Sequence, residues 1–371
     1  MNGQWIGDYK GATEGELLMN IDDCKSHFEG VAYLTPPKNS EIPSFGLSFR
    51  TDNKDREFKF IPNRVWPIHP HTANNLGTFD EVKQFYPSGF LVAKEMEITG
   101  RWDESNLEVE YRTKEFGLGT AKIPRSRSSQ PSELHAQSME WADFKNYVAG
   151  LVGRRDLFRG QSEPWRLRTR YHRNGRADLR RFTSIDIPIL HRRLSARTRH
   201  IFELSKPEQN GAFFNLLQHH GYPTPLLDWT SSPYIAAFFA FRGVPKKVAD
   251  ANNPGKNVRI FVLNDRWKSD IPQLVSLDRP FLHFSVAEFI AIENERTIPQ
   301  QSISTATNVD DIESFIKEKG ISRDQTYLSA IDLPSSERNQ VIHELNYMGL
   351  TAGSLFPGLD GACEELRELN F

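Results

Sequence analysis

Cysteine is scarce in this chain, which has only Cys24 and Cys363 among its 371 residues. The two lie far apart in the sequence and form no C-x-x-C pair, so neither a disulfide framework nor a zinc site is expected. Unpaired cysteines are typical of a reducing compartment, and we therefore expect a cytoplasmic protein.

Long apolar runs and a strong net charge are also lacking. The longest apolar run covers residues 234–241. A membrane-spanning helix needs about 20 apolar residues, so we expect no membrane partner. The first residues show neither a basic nor an apolar signal-peptide region, so no secretion signal is expected. A formal net charge of −2 gives the whole molecule no long-range field that attracts nucleic acid or acidic membranes.

Several common binding motifs are missing. There is no G-x-x-x-x-G-K and no G-x-G-x-x-G, so phosphate loops and Rossmann-type dinucleotide sites lack support. H-E-x-x-H and G-x-S-x-G are absent too, which removes support for zinc proteases and α/β-hydrolases. The sequence predicts no set of metal ligands.

The length of the chain predicts two domains. Residues 1–122 contain short alternating runs separated by Gly, Asn, Asp and Pro, which predict a closed or nearly closed β meander. Its interior either is filled by side chains or holds a ligand, and the domain could also bind a regulator or a target. Residues 123–135 are polar and rich in Pro and Ser, as is typical of a linker. Residues 136–371 contain both strand-like alternation and the helical spacing of apolar residues. The predicted fold class is therefore α+β, an all-β barrel-like domain followed by a mixed α/β domain.

Arginine dominates the segment between Arg154 and Arg199, which contains fourteen arginines and no lysine. Arginine makes bidentate contacts to phosphate or carboxylate that lysine cannot make, so the segment predicts contacts with nucleic acid or an acidic protein. The alternative is a solvated helical face with local ion pairs.

Two sequence blocks of the second domain resemble a known family. The first is Leu157-Phe158-Arg159-Gly160-Gln161, where the glycine would let a ligand approach Arg159 closely. The second runs from Gln218 to Thr230 and reads Q-H-H-G-Y-P-T-P-L-L-D-W-T. Together they resemble the hallmarks of the FRG domain family, F-R-G and Q-H-x-G-x-P-T-x-L-L-D-W-T. The resemblance covers residues 140–371, and it implies a part of a bacterial or phage toxin or antiviral system.

The chain departs from the family pattern at two places. Pro225 stands where the family often has arginine before L-L-D-W-T. Ser302 and Ile303 follow the later Gln300-Gln301 pair in place of a plain G-x-F.

The order of three features is also similar to mono-ADP-ribosyltransferases, which have a split sheet and a three-part active site. Arg159 matches their early arginine, Thr230-Ser231 matches their Ser/Thr strand before a helix, and Glu295, Gln300 or Gln301 matches their late residue. The resemblance implies NAD as cofactor and transfer of ADP-ribose to a macromolecule. In such a site the arginine holds phosphate or ribose, and the late residue orients an oxocarbenium-like centre. Which of the three late residues acts is open.

This resemblance implies two overlapping sets of site residues. The implied catalytic residues are Arg159, Asp228, Thr230, Glu295 and Gln301. The implied NAD-binding residues are Arg159, Gly160, Gln161, Arg168, His219, Tyr222, Trp229 and Ser231, with Tyr222 or Trp229 stacking on nicotinamide.

Structural roles are the alternatives for these residues. Arg159 could form an ion pair with Asp228. Thr230, Ser231 and Ser232 could have no role beyond capping the helix that Pro233 opens. His219 and His220 could cap a helix end, and Glu295 could be a surface residue. Two other functions compete with the transferase: a non-catalytic nucleic-acid-binding module, and a metal-dependent nuclease that would use Asp228, His219 and His220.

Overall fold

The fold is taken from a computed structural model that describes residues 1–37, 40–87, 93, 95–250, 256–274 and 276–371. A nine-stranded antiparallel sheet forms the first domain, in the order β5-β7-β8-β9-β1-β2-β3-β4-β6. A 3-10 helix, Phe79–Phe85, lies between β6 and β7. The strands are β1 Gly3–Lys10, β2 Gly15–Cys24, β3 His27–Thr35, β4 Phe45–Arg50, β5 Glu57–Phe60, β6 Arg64–Pro67, β7 Met96–Trp102, β8 Asn106–Thr113 and β9 Gly117–Pro124.

This sheet curls round on itself. Strands β5 and β6 form its opposite edges, yet only residues 61–63 separate them along the chain. Four Cα steps span at most about 14 Å, so the two edges lie close together. Fully buried side chains fill the core of this domain, among them Trp5, Ile21, Leu107 and Ile123. The barrel-like prediction is thus confirmed as a curled half-barrel with two free edges in the part of the chain described.

A seven-stranded sheet forms the second domain, in the order β10-β16-β13-β11-β12-β15-β14. Its pairs are antiparallel except for β10 with β16. The strands are β10 Ala136–Ser138, β11 Leu157–Gln161, β12 Leu226–Thr230, β13 Asn257–Leu263, β14 Phe284–Ala287, β15 Ser302–Thr307 and β16 Leu328–Pro334.

Helices cover both faces of the second sheet, which confirms the mixed α/β prediction. Along β13, Ile260 and Val262 pack with α1, α6 and α10, while Phe261 and Leu263 pack with α8 and α9 on the other face. Period-two alternation of apolar residues thus serves two cores at once. The helices are α1 Trp141–Ala149, α2 Arg170–Arg173, α3 Leu179–Arg181, α4 Ile187–Leu194, α5 Pro207–His219, α6 Pro233–Arg242, α7 Lys246–Asp250, α8 Arg266–Asp270, α9 Ile312–Ile321, α10 Arg338–Tyr347, α11 Ala352–Leu355 and α12 Leu359–Asn370.

The segment predicted as a linker is held against the second domain. Its first two residues end strand β9. Beyond them, the Ser128 hydroxyl donates to Asp310 at 2.7 Å, and the Ser132 hydroxyl donates to Glu313 at 2.8 Å. These contacts give the segment a fixed path, which its polar composition alone did not indicate.

Much of the arginine-rich segment contacts the first domain. Buried Asp22 on β2 accepts hydrogen bonds from Arg176 Nε at 2.5 Å and from the backbone N–H of Ala177 at 2.7 Å. The guanidinium of Arg180 lies 3.9 Å from the ring centroid of Trp66. Five of the fourteen arginines form ion pairs, namely Arg154, Arg166, Arg168, Arg176 and Arg181. Internal contacts therefore account for part of this arginine usage, as the alternative interpretation expected.

Among the described residues, no helix is long and apolar enough to cross a membrane.

Candidate functional site

A cavity of about 310 Å³ lies where strands β11 and β12 separate. The two strands share a single register pair, Phe158 with Thr230. Beyond this pair, Arg159 Nη1 donates to the backbone carbonyl of Asp228 at 2.6 Å. A side chain therefore occupies the position where a backbone ladder would continue, and the opening beside it forms the cavity.

Six of the residues expected in the site line this cavity. They are Arg159, Gly160, His219, Asp228, Trp229 and Thr230. Gln300, one of the three candidates for the late residue, lines it as well. Residues from four separate parts of the chain thus converge on one opening.

Arg159 is positioned to bind an anion. Its Nε is enclosed and has no hydrogen-bond partner among the described residues, and no carboxylate among them lies within ion-pair distance. Burial lowers the pKa of Arg159 to about 10, while Asp228 nearby opposes the shift. A pKa of about 10 keeps the guanidinium charged at neutral pH. Enclosed donors without partners are rare in folded proteins and call for an explanation, such as a ligand.

Gly160 has a structural role that differs from the one expected. A Cβ at this position would overlap the carbonyl oxygen of Ala236 and lie 2.7 Å from Ala240 N, both in α6. Helix α6 therefore packs directly on the backbone of β11. The glycine permits this helix–strand contact, and close approach of a ligand is not needed to explain it.

Asp228 is exposed, although its flanking leucine and tryptophan are buried. Strand alternation places its carboxylate on the cavity side, where Oδ1 accepts a hydrogen bond from Gln218 Nε2. The expected ion pair with Arg159 is wrong, because Arg159 bonds to the backbone carbonyl of Asp228. The carboxylate thus keeps an exposed oxygen face at the cavity.

His219 lies on the cavity wall at the end of α5, and His220 lies outside it. Burial, followed by the nearby charge of Arg296, lowers the pKa of His219 below its usual value. The imidazole is therefore neutral at physiological pH. His219, His220 and Asp228 do not form a cluster of metal-ligand atoms. Among the described residues, such a cluster occurs only at Cys24, His27 and Glu29.

The three candidates for the late residue occupy different positions. Gln300 lines the cavity, and its backbone carbonyl accepts a hydrogen bond from the Thr230 hydroxyl at 2.8 Å. Gln301 lies outside, where its side chain accepts from Ser231 at 3.1 Å, and its backbone has a φ of 46°, which is rare for a residue other than glycine. Glu295 is exposed and outside the cavity. Gln300 is thus the only one of the three with access to the cavity.

Three other expected binding residues are used elsewhere, and the ring of Trp229 points away from the cavity. Gln161 donates to the backbone of Trp165 at 2.7 Å, and Arg168 pairs with Asp310. Tyr222 packs beside Phe182, away from the cavity. The indole of Trp229 is 2% exposed and donates to Thr305 at 3.1 Å in the opposite core. Trp229 therefore contributes only backbone to the cavity, and stacking of either aromatic ring on a ligand there is excluded by its position.

Sequence reasoning missed several lining residues. Phe239 and Phe356 form an aromatic wall, with ring centroids 5.8 Å apart. Arg296 lies 5.1 Å from the Phe356 centroid and has no carboxylate partner among the described residues. Thr297 Oγ1 is enclosed beside it without a hydrogen-bond partner in that same part of the chain. Arg296 and Thr297 directly follow Glu295, a residue already expected in the site, and this adjacency is the signal that could have indicated them.

The comparison with known families identifies this region. Residues 154–248 match the family model of the FRG domain. The chain thus contains an FRG domain, which supplies β11, β12 and α6 around the cavity. Residues beyond the matched segment, from Asn294 to Ser302 and at Phe356, complete the wall. No curated protein matches the chain.

Proposed function

We propose that this domain binds NAD⁺ and transfers ADP-ribose to a macromolecular acceptor, as a toxin or antiviral effector. The observation that carries the proposal is the shared cavity of Arg159, Arg296 and Asp228. Two guanidinium groups without carboxylate partners suit a pyrophosphate, and one exposed carboxylate suits a developing positive charge. NAD⁺ contains a pyrophosphate and a ribose carbon at which positive charge develops, so it fits this arrangement.

Arg159 would bind the pyrophosphate or the adjoining ribose. Its Nη1 is held by the Asp228 carbonyl, which fixes the guanidinium while leaving the enclosed Nε free to donate. A guanidinium that is already held in its binding orientation loses little conformational entropy when the ligand binds. The Phe239 and Phe356 rings would provide the apolar wall for nicotinamide, the role first expected of Trp229 or Tyr222.

The chemical step is a substitution at the ribose C1′ of NAD⁺. The bond from C1′ to the nicotinamide nitrogen breaks, and nicotinamide leaves with the bonding electrons. A nucleophilic atom of the acceptor forms the new bond to C1′ and loses its proton to solvent or to a nearby base. The Asp228 carboxylate would stabilise the positive charge that develops on the ribose, as carboxylates do in glycoside chemistry. Gln300, the late residue that lines the cavity, would orient the ribose hydroxyls.

The test follows the transfer of label from NAD⁺ labelled in its adenylate part to RNA, DNA or protein acceptors, together with the release of nicotinamide. Arg159→Lys should weaken NAD⁺ binding about tenfold to hundredfold, because a hydrogen bond to a charged group contributes about 1.5–3 kcal/mol. Asp228→Asn should reduce turnover more than binding. Glu295→Gln is the matched control and should change neither. Absence of nicotinamide release with every acceptor would overturn the proposal.

Nucleic-acid binding without catalysis is the second candidate. Arg170 and Arg173 are exposed and form no ion pair within the described residues. Arg173 lies near Arg159, since its charge contributes to the lowered pKa of Arg159. Such arginines suit phosphates. Binding that weakens steeply with salt, without turnover of NAD⁺, would favour this candidate. Arg170→Gln with Arg173→Gln should then reduce the salt dependence.

A further inference from the structure

The hairpin between β2 and β3 brings a thiol, an imidazole and a carboxylate together. Lys25 and Ser26 form its two-residue turn, so that Cys24 and His27 are paired across the strands. Residues paired in this way project from the same face of a sheet, and Glu29, two positions further along β3, projects from that face too. One ligand atom from each of Cys24, His27 and Glu29 lies within 4.8 Å of the other two.

We propose that Cys24, His27 and Glu29 form a three-ligand binding site for Zn²⁺. Zinc accepts thiolate sulfur, imidazole nitrogen and carboxylate oxygen at about 2.0–2.3 Å, which places tetrahedral ligand atoms about 3.5 Å apart. The ligand atoms, which lie within 4.8 Å of one another, would move to that spacing when the ion binds. Three protein ligands leave a fourth position for water or another group.

The surroundings of His27 favour a cation. Its Nδ1 lies 3.0 Å from the Ser26 hydroxyl, and its Nε2 lies 2.9 Å from Glu29 Oε1. When Nδ1 carries the proton and donates to Ser26, the lone pair of Nε2 faces a carboxylate oxygen. A metal ion bound between them would satisfy both acceptors. Hydrogen bonding of the second ring nitrogen is the usual way in which a metal-binding histidine is oriented.

Arg181, at the end of α3, is a supporting residue from the second domain. Its guanidinium donates to Cys24 Sγ and lies 3.2 Å from Glu29 Oε2. It therefore helps to orient two of the three ligands. The more exposed Arg50 lies 3.8 Å from Glu29 Oε1 and would have to move aside. Because Arg181 belongs to the other domain, the site lies at the junction between the two domains.

This site is hard to recognise from the sequence. Its spacing is C-x-x-H-x-E, which differs from the C-x-x-C pairs of common zinc motifs. Only the hairpin register reveals that the three residues share one face. The remaining cysteine, Cys363, is exposed on α12 and belongs to no such cluster among the described residues, so it provides a matched control.

The test uses the full chain, freed of metal by a chelator and titrated with Co²⁺ as a spectroscopic substitute for Zn²⁺. We expect one equivalent of Co²⁺ to bind, with a sulfur-to-metal charge-transfer band and the visible bands of a tetrahedral site. Zn²⁺ should displace it. Cys24→Ser should abolish the charge-transfer band, and His27→Gln should weaken binding about tenfold or more. Cys363→Ser should change nothing.

Folding of each variant is checked by its melting temperature without metal. Zn²⁺ should raise the melting temperature of the wild-type protein and of Cys363→Ser, but not that of Cys24→Ser, since only a competent site gains stability from the ligand. Absence of the charge-transfer band at one equivalent of Co²⁺ overturns the proposal. Its persistence in folded Cys24→Ser does so as well.

Discussion

At the scale of single residues, Gly160 of the F-R-G motif is required for the packing of α6 against β11. Because a Cβ there would overlap the Ala236 carbonyl, Gly160→Ala must displace α6 from β11. Overpacking of this kind costs about 1–3 kcal/mol, so the free energy of unfolding measured in urea should fall by that amount. Gly150→Ala is the control, since its nearest neighbour, Tyr147 O, lies 3.3 Å from the added Cβ. Equal stability of the two variants would contradict this account.

His172 gives a prediction for pH. It is 1% exposed, and burial lowers its pKa from 6.5 to about 4. A group with a lowered folded-state pKa binds fewer protons in the folded state, so its contribution to stability is complete above pH 6.5 and is lost as the pH falls towards 4.

The loss from His172 should reach about 3 kcal/mol at most, on the scale of 1.36 kcal/mol per pKa unit. His172→Phe should flatten the slope of unfolding free energy against pH in that window. Exposed His135→Phe should leave the slope as it is. The slope does not vanish in the first variant, because the pKa of buried His283 is lowered to about 4 as well.

At the scale of elements, two neighbouring serines at the start of α6 have different roles, and Ser232 is the one that caps the helix. Ser232 Oγ accepts a hydrogen bond from the backbone N–H of Ile235 at 3.3 Å, and Pro233 occupies the first turn. Ser232→Ala should therefore cost about 1 kcal/mol in thermal or urea unfolding. The hydroxyl of the neighbouring Ser231 donates to the exposed side chain of Gln301, so Ser231→Ala should change stability by less than about 0.5 kcal/mol. The reverse order would contradict the assignment of the cap.

Elements with strong local signals were predictable from sequence. Strand β12 ends at Thr230, where a Ser/Thr strand before a helix was expected, and α6 begins at Pro233, the proline expected to open that helix. Strand β15 was missed because Ser302–Thr307 has almost no apolar pattern. Its buried hydroxyls are satisfied by tertiary partners, as when Thr307 Oγ1 donates to the His283 carbonyl at 2.7 Å. Such burial depends on neighbours that sequence periodicity does not reveal.

The cavity was predictable to a similar degree. Arg159, Asp228 and Thr230 belong to conspicuous motifs on adjacent strands, so their convergence follows from pairing of β11 with β12. Phe356 lies some two hundred residues from Arg159 in the sequence and reaches the cavity through the loop after α11. The expected stacking role of Trp229 is wrong because strand alternation turns its indole to the opposite face.

At the scale of the whole molecule, the two domains are joined through a buried charge. Asp22 of the first domain is fully buried and accepts from Arg176 and from two backbone N–H groups of the second domain, those of Ala177 and Asp178. Asp22→Ala would leave Arg176 Nε and two amides without their acceptor, while Arg176 Nη2 would keep its ion pair with Asp186 at 2.9 Å. A buried donor that is left without its acceptor costs about 1–3 kcal/mol.

We therefore expect Asp22→Ala to loosen the junction before it unfolds either domain. Limited proteolysis should cut faster between residues 123 and 135, the segment that runs from one sheet to the other, and the urea transition should shift to lower concentration. Asp52→Ala is the control, because Asp52 is exposed and forms no contact with the second domain among the described residues. If both variants resist protease as the wild-type protein does, then the apolar and cation–π contacts at the junction, such as Arg180 over Trp66, suffice to hold the domains together without Asp22.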